Sequence, residues 1–212
     1  MKFIVDNSHR EFVQENGWIE FEEVMGAQVC KAILASAEQV FRRRGAPSKA
    51  SLPEDALNMF KAGRDIWRED LDLKRLICHR TLSEIVSELV EAKPLRLAYD
   101  QILTPKIQYC LSQGVLSGSL GPCQGLVATI AICLEGQGEG ILPSLPGHTS
   151  VILPTTPLTL APLQGTFLLI GYCRAVARYA IQPLDPCANV PKTWGYAVGD
   201  RLMDRLHPIV YR

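Results

Sequence analysis

Two arginines in an apolar stretch near the C-terminal end are the residues whose chemistry most needs explaining. Arg174 and Arg178 lie within Gly165 to Gln182 (GTFLLIGYCRAVARYAIQ). Its two apolar runs have the length and composition of strands, and we expect a hinge at Gly171–Cys173. A charge buried in such a strand costs several kcal/mol unless it finds a partner. The stretch therefore predicts an anion near the two guanidinium groups.

The partner of these arginines can be a ligand or the protein itself. In an alternating strand, Arg174 and Arg178 face the same side, and Tyr172 precedes them. Two guanidinium groups on one face suit a carboxylate or a phosphate. In the alternative interpretation an acidic side chain neutralises them, and the candidates are Asp185, Asp200 and Glu135. Residue spacing leaves both interpretations open.

Three other positions could carry chemistry. Asp100-Gln101 could line a pocket or simply end a strand. His148 follows Pro-Gly and is either a ligand or a turn residue, and Cys173 beside Arg174 could be a nucleophile if His148 served as its base. Four cysteines lie in or near the expected strands, and without zinc-like spacing they indicate buried thiols: Cys110, Cys123, Cys133 and Cys173.

The first 94 residues have the pattern of a helical cover. Ser8-x-x-Glu11 resembles a capping box, and Trp18–Phe21 alternates like a short strand. Helical periodicity predicts helices over Gln28–Arg44, Ser51–Ala62 and Thr81–Ala92, the last capped by Thr81.

Residues 95–212 have the pattern of a β core. No Asp, Glu, Lys or Arg occurs from Ile107 to Leu134 or from Gly140 to Cys173. Such uncharged segments fit strands that are covered on both faces. The predicted strands are Leu95–Tyr99, Leu126–Leu134, Ser150–Leu153, Thr166–Ile170 and Ala175–Gln182, and a last helix is predicted over Val198–Leu206. We expect one domain, residues 1–212, that is mainly β.

Composition excludes several classes of function. The formal net charge is zero, with 22 basic and 22 acidic residues, so we expect no nucleic-acid partner. The sequence shows no apolar run of membrane-spanning length and no secretory leader, so we expect no membrane association. Seven cysteines without CxxC spacing predict reduced thiols and a cytoplasmic location.

Four segments of the sequence resemble the phytanoyl-CoA dioxygenase-like branch of the Fe(II)/2-oxoglutarate-dependent oxygenases. They are Phe12–Phe21, Leu95–Leu103, the Leu145-Pro-Gly-His148 turn, which lacks that family's serine, and Arg178-Tyr-Ala-Ile-Gln182. The resemblance implies a double-stranded β-helix (jelly-roll) core with N-terminal helices packed against it. It also implies that Arg178 stands where the family binds the 2-oxoglutarate carboxylate.

The family's iron ligands, two histidines and a carboxylate, are missing from the corresponding positions. No histidine occurs between His79 and His148, and no Asp or Glu occurs between Asp100 and Glu135. The second histidine's place is held by Ile170–Cys173. We therefore expect no tight iron and no catalytic residues. The sequence predicts a pseudoenzyme or small-anion binder that uses Arg178, Arg174, Tyr172, Gln101 and His148. An atypical oxygenase and a regulatory interaction module, with a protein partner that the sequence does not identify, are the alternatives.

Overall fold

A computed structural model describes residues 4–46, 53–107, 115–159 and 163–212. Within these ranges, none of the helices is long and apolar enough to cross a membrane. The helices are Asn7–Asn16 (α1), Ala27–Arg43 (α2), Pro53–Ala62 (α3), Leu71–Ile77 (α4), Arg80–Val90 (α5) and Val190–Thr193 (α6). The strands are Trp18–Phe21 (β1), Leu95–Leu103 (β2), Val115–Leu116 (β3), Cys123–Gly136 (β4), Thr149–Ile152 (β5), Pro157–Leu158 (β6), Gly165–Tyr179 (β7) and Ile209–Tyr211 (β8).

The main sheet is antiparallel and curls around an apolar interior. Its strand order is β1-β5-β4-β7-β2-β8, and β3 pairs with β6 in a separate two-stranded sheet. The long strands β4 and β7 pair from Cys123↔Tyr179 to Gly136↔Gly165, with three register shifts between them. Such irregularities bend and twist strands, which lets two long strands curve around a core. The jelly-roll prediction is confirmed.

Alternate residues of β7 enter two different cores. Leu168, Ile170 and Tyr172 belong to the core between the sheet and the helices. Leu169 and Cys173 belong to the core inside the curl. This alternation follows from the two-residue period of a strand, and it decides below which side chains can reach the interior.

The helical cover packs on the convex side of the sheet. The buried residues Ile33 and Val40 of α2, with Ile85 and Leu89 of α5, pack in the core that the helices share with the sheet. The two predicted helix caps, Ser8 and Thr81, were each wrong by two residues. Asp6 caps α1 and accepts the His9 backbone N–H, while the Nδ1 of His79 accepts the Thr81 N–H at the start of α5.

The predicted hinge at Gly171–Cys173 was wrong, because β7 continues unbroken through it. Gly171 instead makes room for a ring: it lies opposite Tyr99 in β2, and a Cβ there would come within 2.2 Å of Tyr99 Cε1. Gly121 leaves similar space, since its Cβ would lie 2.6 Å from Tyr99 Cδ1. Two glycines therefore seat the Tyr99 ring in the interior.

The C-terminal segment differs from its prediction. Val198–Leu206 does not form the expected helix but runs beside β7 as an extended piece followed by turns. Tyr179 N–H donates to Asp200 O at 2.8 Å, and Leu202 N–H donates to Ala177 O at 3.2 Å. By pairing with the edge of β7, this segment forms backbone hydrogen bonds in place of those that a helix would have provided.

Candidate functional site

A buried ion pair occupies the interior of the curled sheet. Arg64, in the loop after α3, donates from Nη2 to Asp185 Oδ1 at 2.8 Å and from Nε to Gln101 Oε1 at 2.9 Å. Arg64 and Asp185 are each 5% exposed. The pair joins three distant parts of the chain: the loop after α3, strand β2 and the loop that follows β7.

The hydrogen bonds of the Asp185 carboxylate are satisfied by the protein itself. Its Oδ2 accepts the Gly121 N–H, and its Oδ1 accepts the Cys187 N–H, both at 2.8 Å. Burial opposes a charge on Arg64, but the adjacent Asp185 carboxylate outweighs it and raises the pKa of Arg64. Arg64 therefore stays charged, and its hydrogen bond to Asp185 holds the two side chains in place.

Aromatic rings and apolar side chains fill the space around this pair. The Arg64 guanidinium carbon lies 4.6 Å from the centre of the Tyr99 ring and 5.5 Å from that of Phe60. A cavity of about 10 Å³ remains beside Arg64, Tyr99 and Asp185. Because a single water needs about that volume, the cavity as it stands has no room for an organic co-substrate.

Solved structures of several non-heme enzymes are similar to this architecture. The α-ketoglutarate-dependent carbocyclase SnoK from nogalamycin biosynthesis is 15% identical, with 96% of each chain covered and a TM-score of 0.70. The epimerase SnoN of the same biosynthesis is also 15% identical, with 97% of this chain and 100% of that chain covered and a TM-score of 0.70. EctD from S. alaskensis with bound Fe is 9% identical, with 85% and 80% coverage and a TM-score of 0.54.

The chain shares their fold. No protein family model matches the sequence. No curated protein is significantly similar to it. At these identities the likeness concerns the fold, and what the interior can do has to be argued from this chain's own residues.

The iron ligands of the family that the sequence resembles are not found together among the described residues. Where the sequence places the His-x-Asp/Glu pair of the oxygenases, the chain has the turn Ser117–Ser119 followed by Leu120 and Gly121. The Ser117 hydroxyl donates to a backbone carbonyl, and the Gly121 N–H serves Asp185. In the described part of the chain, no three His, Cys, Asp or Glu residues are grouped to hold a metal ion.

Arg174 and Arg178 are exposed, which corrects the expectation that Arg178 points into a dry interior. Both lie an even number of residues from Tyr172 and therefore on the same face of β7. This face packs against the helices, and the opposite face points inside the curl. Beyond Tyr172 this face leaves the helical cover, so the side chains enter solvent. Arg178 Nη1 donates to Gly199 O at 2.6 Å. Asp185, which was considered as its partner, pairs with Arg64 instead.

The environment of Tyr172 differs from that of the two arginines. It is fully buried in the core under the helices, and its hydroxyl has no hydrogen-bond partner among the described residues. Burial raises the pKa of this hydroxyl far above its ordinary value, so it stays protonated. The three residues suggested as a trio, Tyr172, Arg174 and Arg178, therefore do not share one pocket.

Of the five predicted ligand-binding residues, Gln101 is the one that reaches the interior. Its Oε1 accepts from Arg64, and its Nε2 donates to the carbonyls of Phe60 and Ile102 at 2.9 Å each. The interpretation in which this strand end hydrogen-bonds a neighbouring loop agrees with these contacts. Whether Gln101 also binds a ligand stays a prediction.

His148 belongs to a polar cluster at the other edge of the sheet. Its Nδ1 lies 2.9 Å from Glu20 Oε1 in β1 and 3.3 Å from Ser144 Oγ. Partial burial opposes ionisation of Glu20, but hydrogen bonds from Ser144 and His148 outweigh it and lower the Glu20 pKa. Both contacts use the same ring nitrogen, so the three residues tie a loop to β1 and do not form a proton relay.

The cysteines of the described chain are free thiols. Cys173 lies inside the curl, where a hydrogen bond with Cys123 and burial raise its pKa well above the ordinary value. A thiol held in its neutral form is a poor nucleophile, which disfavours the suggested role of Cys173 in catalysis. Cys110 lies outside the described residues.

Sequence reasoning missed a second buried network, on the helix-facing side of β2. Asp100 Oδ1 accepts the Ile66 N–H at 3.0 Å, and Asp65 N–H donates to Asp100 O at 2.9 Å. Asp65 Oδ1 and Asp100 Oδ2 have no hydrogen-bond partner among the described residues. Burial raises the pKa of both carboxyls, and for Asp100 the neighbouring Asp65 raises it further. The sequence had pointed to Asp100 as a possible pocket residue, but nothing marked Arg64-Asp65, which lies in a loop without periodicity.

An open groove lies on the helical side of the molecule. Its volume is about 480 Å³, and it runs between the start of α2 and the junction of α4 with α5. Val29, Leu76 and Leu82 contribute apolar surface, and Glu23 and Arg75 are among its charged lining residues. This groove has the volume of a ligand, whereas the cavity beside Arg64 and Asp185 has room for about one water.

Proposed function

We propose that this chain is a non-catalytic protein on an oxygenase fold, in other words a pseudoenzyme. The observation that carries the proposal is the Arg64–Asp185 pair in the interior, whose hydrogen bonds the protein satisfies by itself. An oxygenase active site would need room for a metal, a co-substrate and a substrate, and the cavity beside this pair has room for about one water.

Opening this interior would be costly. A co-substrate could enter only by separating two buried charges, and leaving one of them unpaired costs about 3–5 kcal/mol. Metal binding would contribute little free energy to offset this cost, because the described residues around the pair offer no set of histidine and carboxylate ligands. The alternative of an atypical oxygenase would need both obstacles to be removed by a large rearrangement.

Titration of the purified protein with Fe(II) and 2-oxoglutarate tests the proposal. We expect no saturable Fe(II) binding after dialysis, no charge-transfer absorption on adding 2-oxoglutarate and no release of succinate. Near-equimolar iron that survives dialysis and is lost on mutating His148 would overturn the proposal, as would succinate release that depends on the protein.

The small volume left beside the buried pair favours a role exercised through the surface. A regulatory interaction module is the version of the pseudoenzyme proposal that agrees with it, since such a protein needs a stable scaffold and no internal pocket. Binding of a carboxylate inside the curl through Arg178 loses its main support, because that side chain is exposed. The cytoplasmic location stays a prediction.

A further inference from the structure

The exposed face at the end of β7 places two arginines side by side. Arg178 and Arg201 form an isolated antiparallel bridge. The backbone hydrogen bonds around it come from the flanking residues, Tyr179 to Asp200 and Leu202 to Ala177. This pattern defines a non-hydrogen-bonded pair, in which the Cα atoms are about 4.5 Å apart and the side chains approach most closely. The two guanidinium groups therefore project from one face at the shortest cross-strand separation.

A third donor extends the pair into a row. Gln124 of β4 lies opposite Arg178 on its other side, and all three side chains are exposed. Arg178 Nη1 donates to Gly199 O at 2.6 Å, which positions this guanidinium while its remaining N–H groups stay available. We call Gln124, Arg178 and Arg201 the transverse row.

The positive charge of this row is not balanced by its surroundings. Like charges directly opposite each other in a sheet are destabilising. Within the described chain, neither Arg178 nor Arg201 has a carboxylate oxygen within ion-pair distance. Asp200, next to Arg201, has its Oδ2 accept the Ala197 N–H at 2.8 Å. Arg174, exposed on the same face of β7, adds further positive charge.

We propose that the transverse row binds a phosphate monoester. A phosphate dianion matches the two guanidinium charges, and its three oxygens can accept from both arginines and from the Gln124 amide. A monocarboxylate could neutralise only one of them. Val176, 63% exposed and two residues from Arg178 on the same face, offers an apolar contact for the organic part of the ligand. The proposal does not depend on whether the interior is catalytically silent.

Calorimetric titration at low ionic strength tests this site with inorganic phosphate, phenyl phosphate and acetate. We expect phenyl phosphate to bind more tightly than inorganic phosphate, and acetate to bind at least about tenfold more weakly than either. Arg178→Met and Arg201→Met should each weaken phosphate binding by about tenfold or more. Phenyl phosphate should also raise the melting temperature of the wild type, and this shift should shrink in both variants.

The control is Arg75→Met, which removes an exposed charge from another face, where Arg75 pairs with Asp72. Phosphate affinity should be unchanged in this variant. The proposal is wrong if phosphate does not bind at about 10 mM, if Arg75→Met weakens binding as much as the row variants do, or if acetate binds as well as phosphate. Phenyl phosphate binding no tighter than inorganic phosphate would overturn the role of Val176. The row arginines are exposed, so we expect their variants to fold, and circular dichroism checks this.

Discussion

At the scale of single residues, the charges of this protein divide into those that are neutralised and those that are not. Arg64 has Asp185, whereas Arg178 and Arg201 face solvent without a carboxylate partner in the described chain. Asp65 and Asp100 form a third case, since two buried carboxyls lie close together and each keeps an oxygen that has no hydrogen-bond partner among the described residues. Burial and the neighbouring Asp65 hold the pKa of Asp100 well above its ordinary value.

This raised pKa predicts how stability depends on pH. Between the ordinary pKa of an aspartate, about 4, and the raised value, the folded protein holds a proton that the unfolded chain has released. The contribution of Asp100 to stability is therefore present at low pH and is lost as the pH rises. Asp100→Asn keeps an oxygen for the Ile66 N–H and removes this loss.

We expect Asp100→Asn to become progressively more stable than the wild type as the pH is raised from about 4 to neutrality. Urea unfolding at several pH values measures the difference. The matched control is Glu38→Gln, which changes an exposed carboxylate and should give a nearly constant difference. A difference for Asp100→Asn that stays flat or narrows toward neutral pH would contradict the raised pKa.

At the scale of elements, strand parity decides which side chains reach the interior. In β7, Cys173, Ala177 and Tyr179 face inside the curl, so Arg174 and Arg178 cannot. The central part of β4 is buried on both faces, as its uncharged sequence predicts, because the helices cover one face and the curled sheet encloses the other.

Ile130 tests the burial of β4 directly, since it is fully buried in the core under the helices. Ile130→Ala should reduce the free energy of unfolding by about 2–5 kcal/mol through lost burial and a residual cavity. Val176→Ala on the neighbouring strand is the control and should change it by less than about 0.5 kcal/mol, because Val176 is largely exposed. Denaturant unfolding that shows similar effects for the two variants would mean that β4 is not packed as described.

At the scale of the whole molecule, the Arg64–Asp185 pair connects the helical cover to the core. Arg64 follows α3, Gln101 lies in β2, and Asp185 lies beyond β7. The helical part also contributes β1 to the edge of the main sheet, where it pairs with β5. These connections support the proposal that residues 1–212 fold as one domain.

Arg64→Met leaves Asp185 buried without its cation and should cost about 3–5 kcal/mol of stability. If the chain is one domain, the loss should appear as the same shift of midpoint in tryptophan fluorescence and in far-UV circular dichroism. Arg75→Met, on the surface, should have little effect. A stability loss below about 1 kcal/mol for Arg64→Met would show that the interior tolerates Asp185 without its cation. It would favour a ligand pocket there.

The sequence by itself determined the fold class, the position of most helices and strands, and the absence of the oxygenase ligand pattern. These properties depend on local periodicity and on residue identity, which are visible without coordinates. The tertiary structure decided the environment of each charge. Arg64 and Asp185 are 121 positions apart, and nothing local marks them as partners. Arg178 was wrongly predicted to be buried. An apolar strand indicates that most of its residues are covered, but it does not show where the helices that cover it end. The end of the helical layer beyond Tyr172 leaves Arg178 in solvent, and the chain's return at Arg201 sets a second arginine beside it.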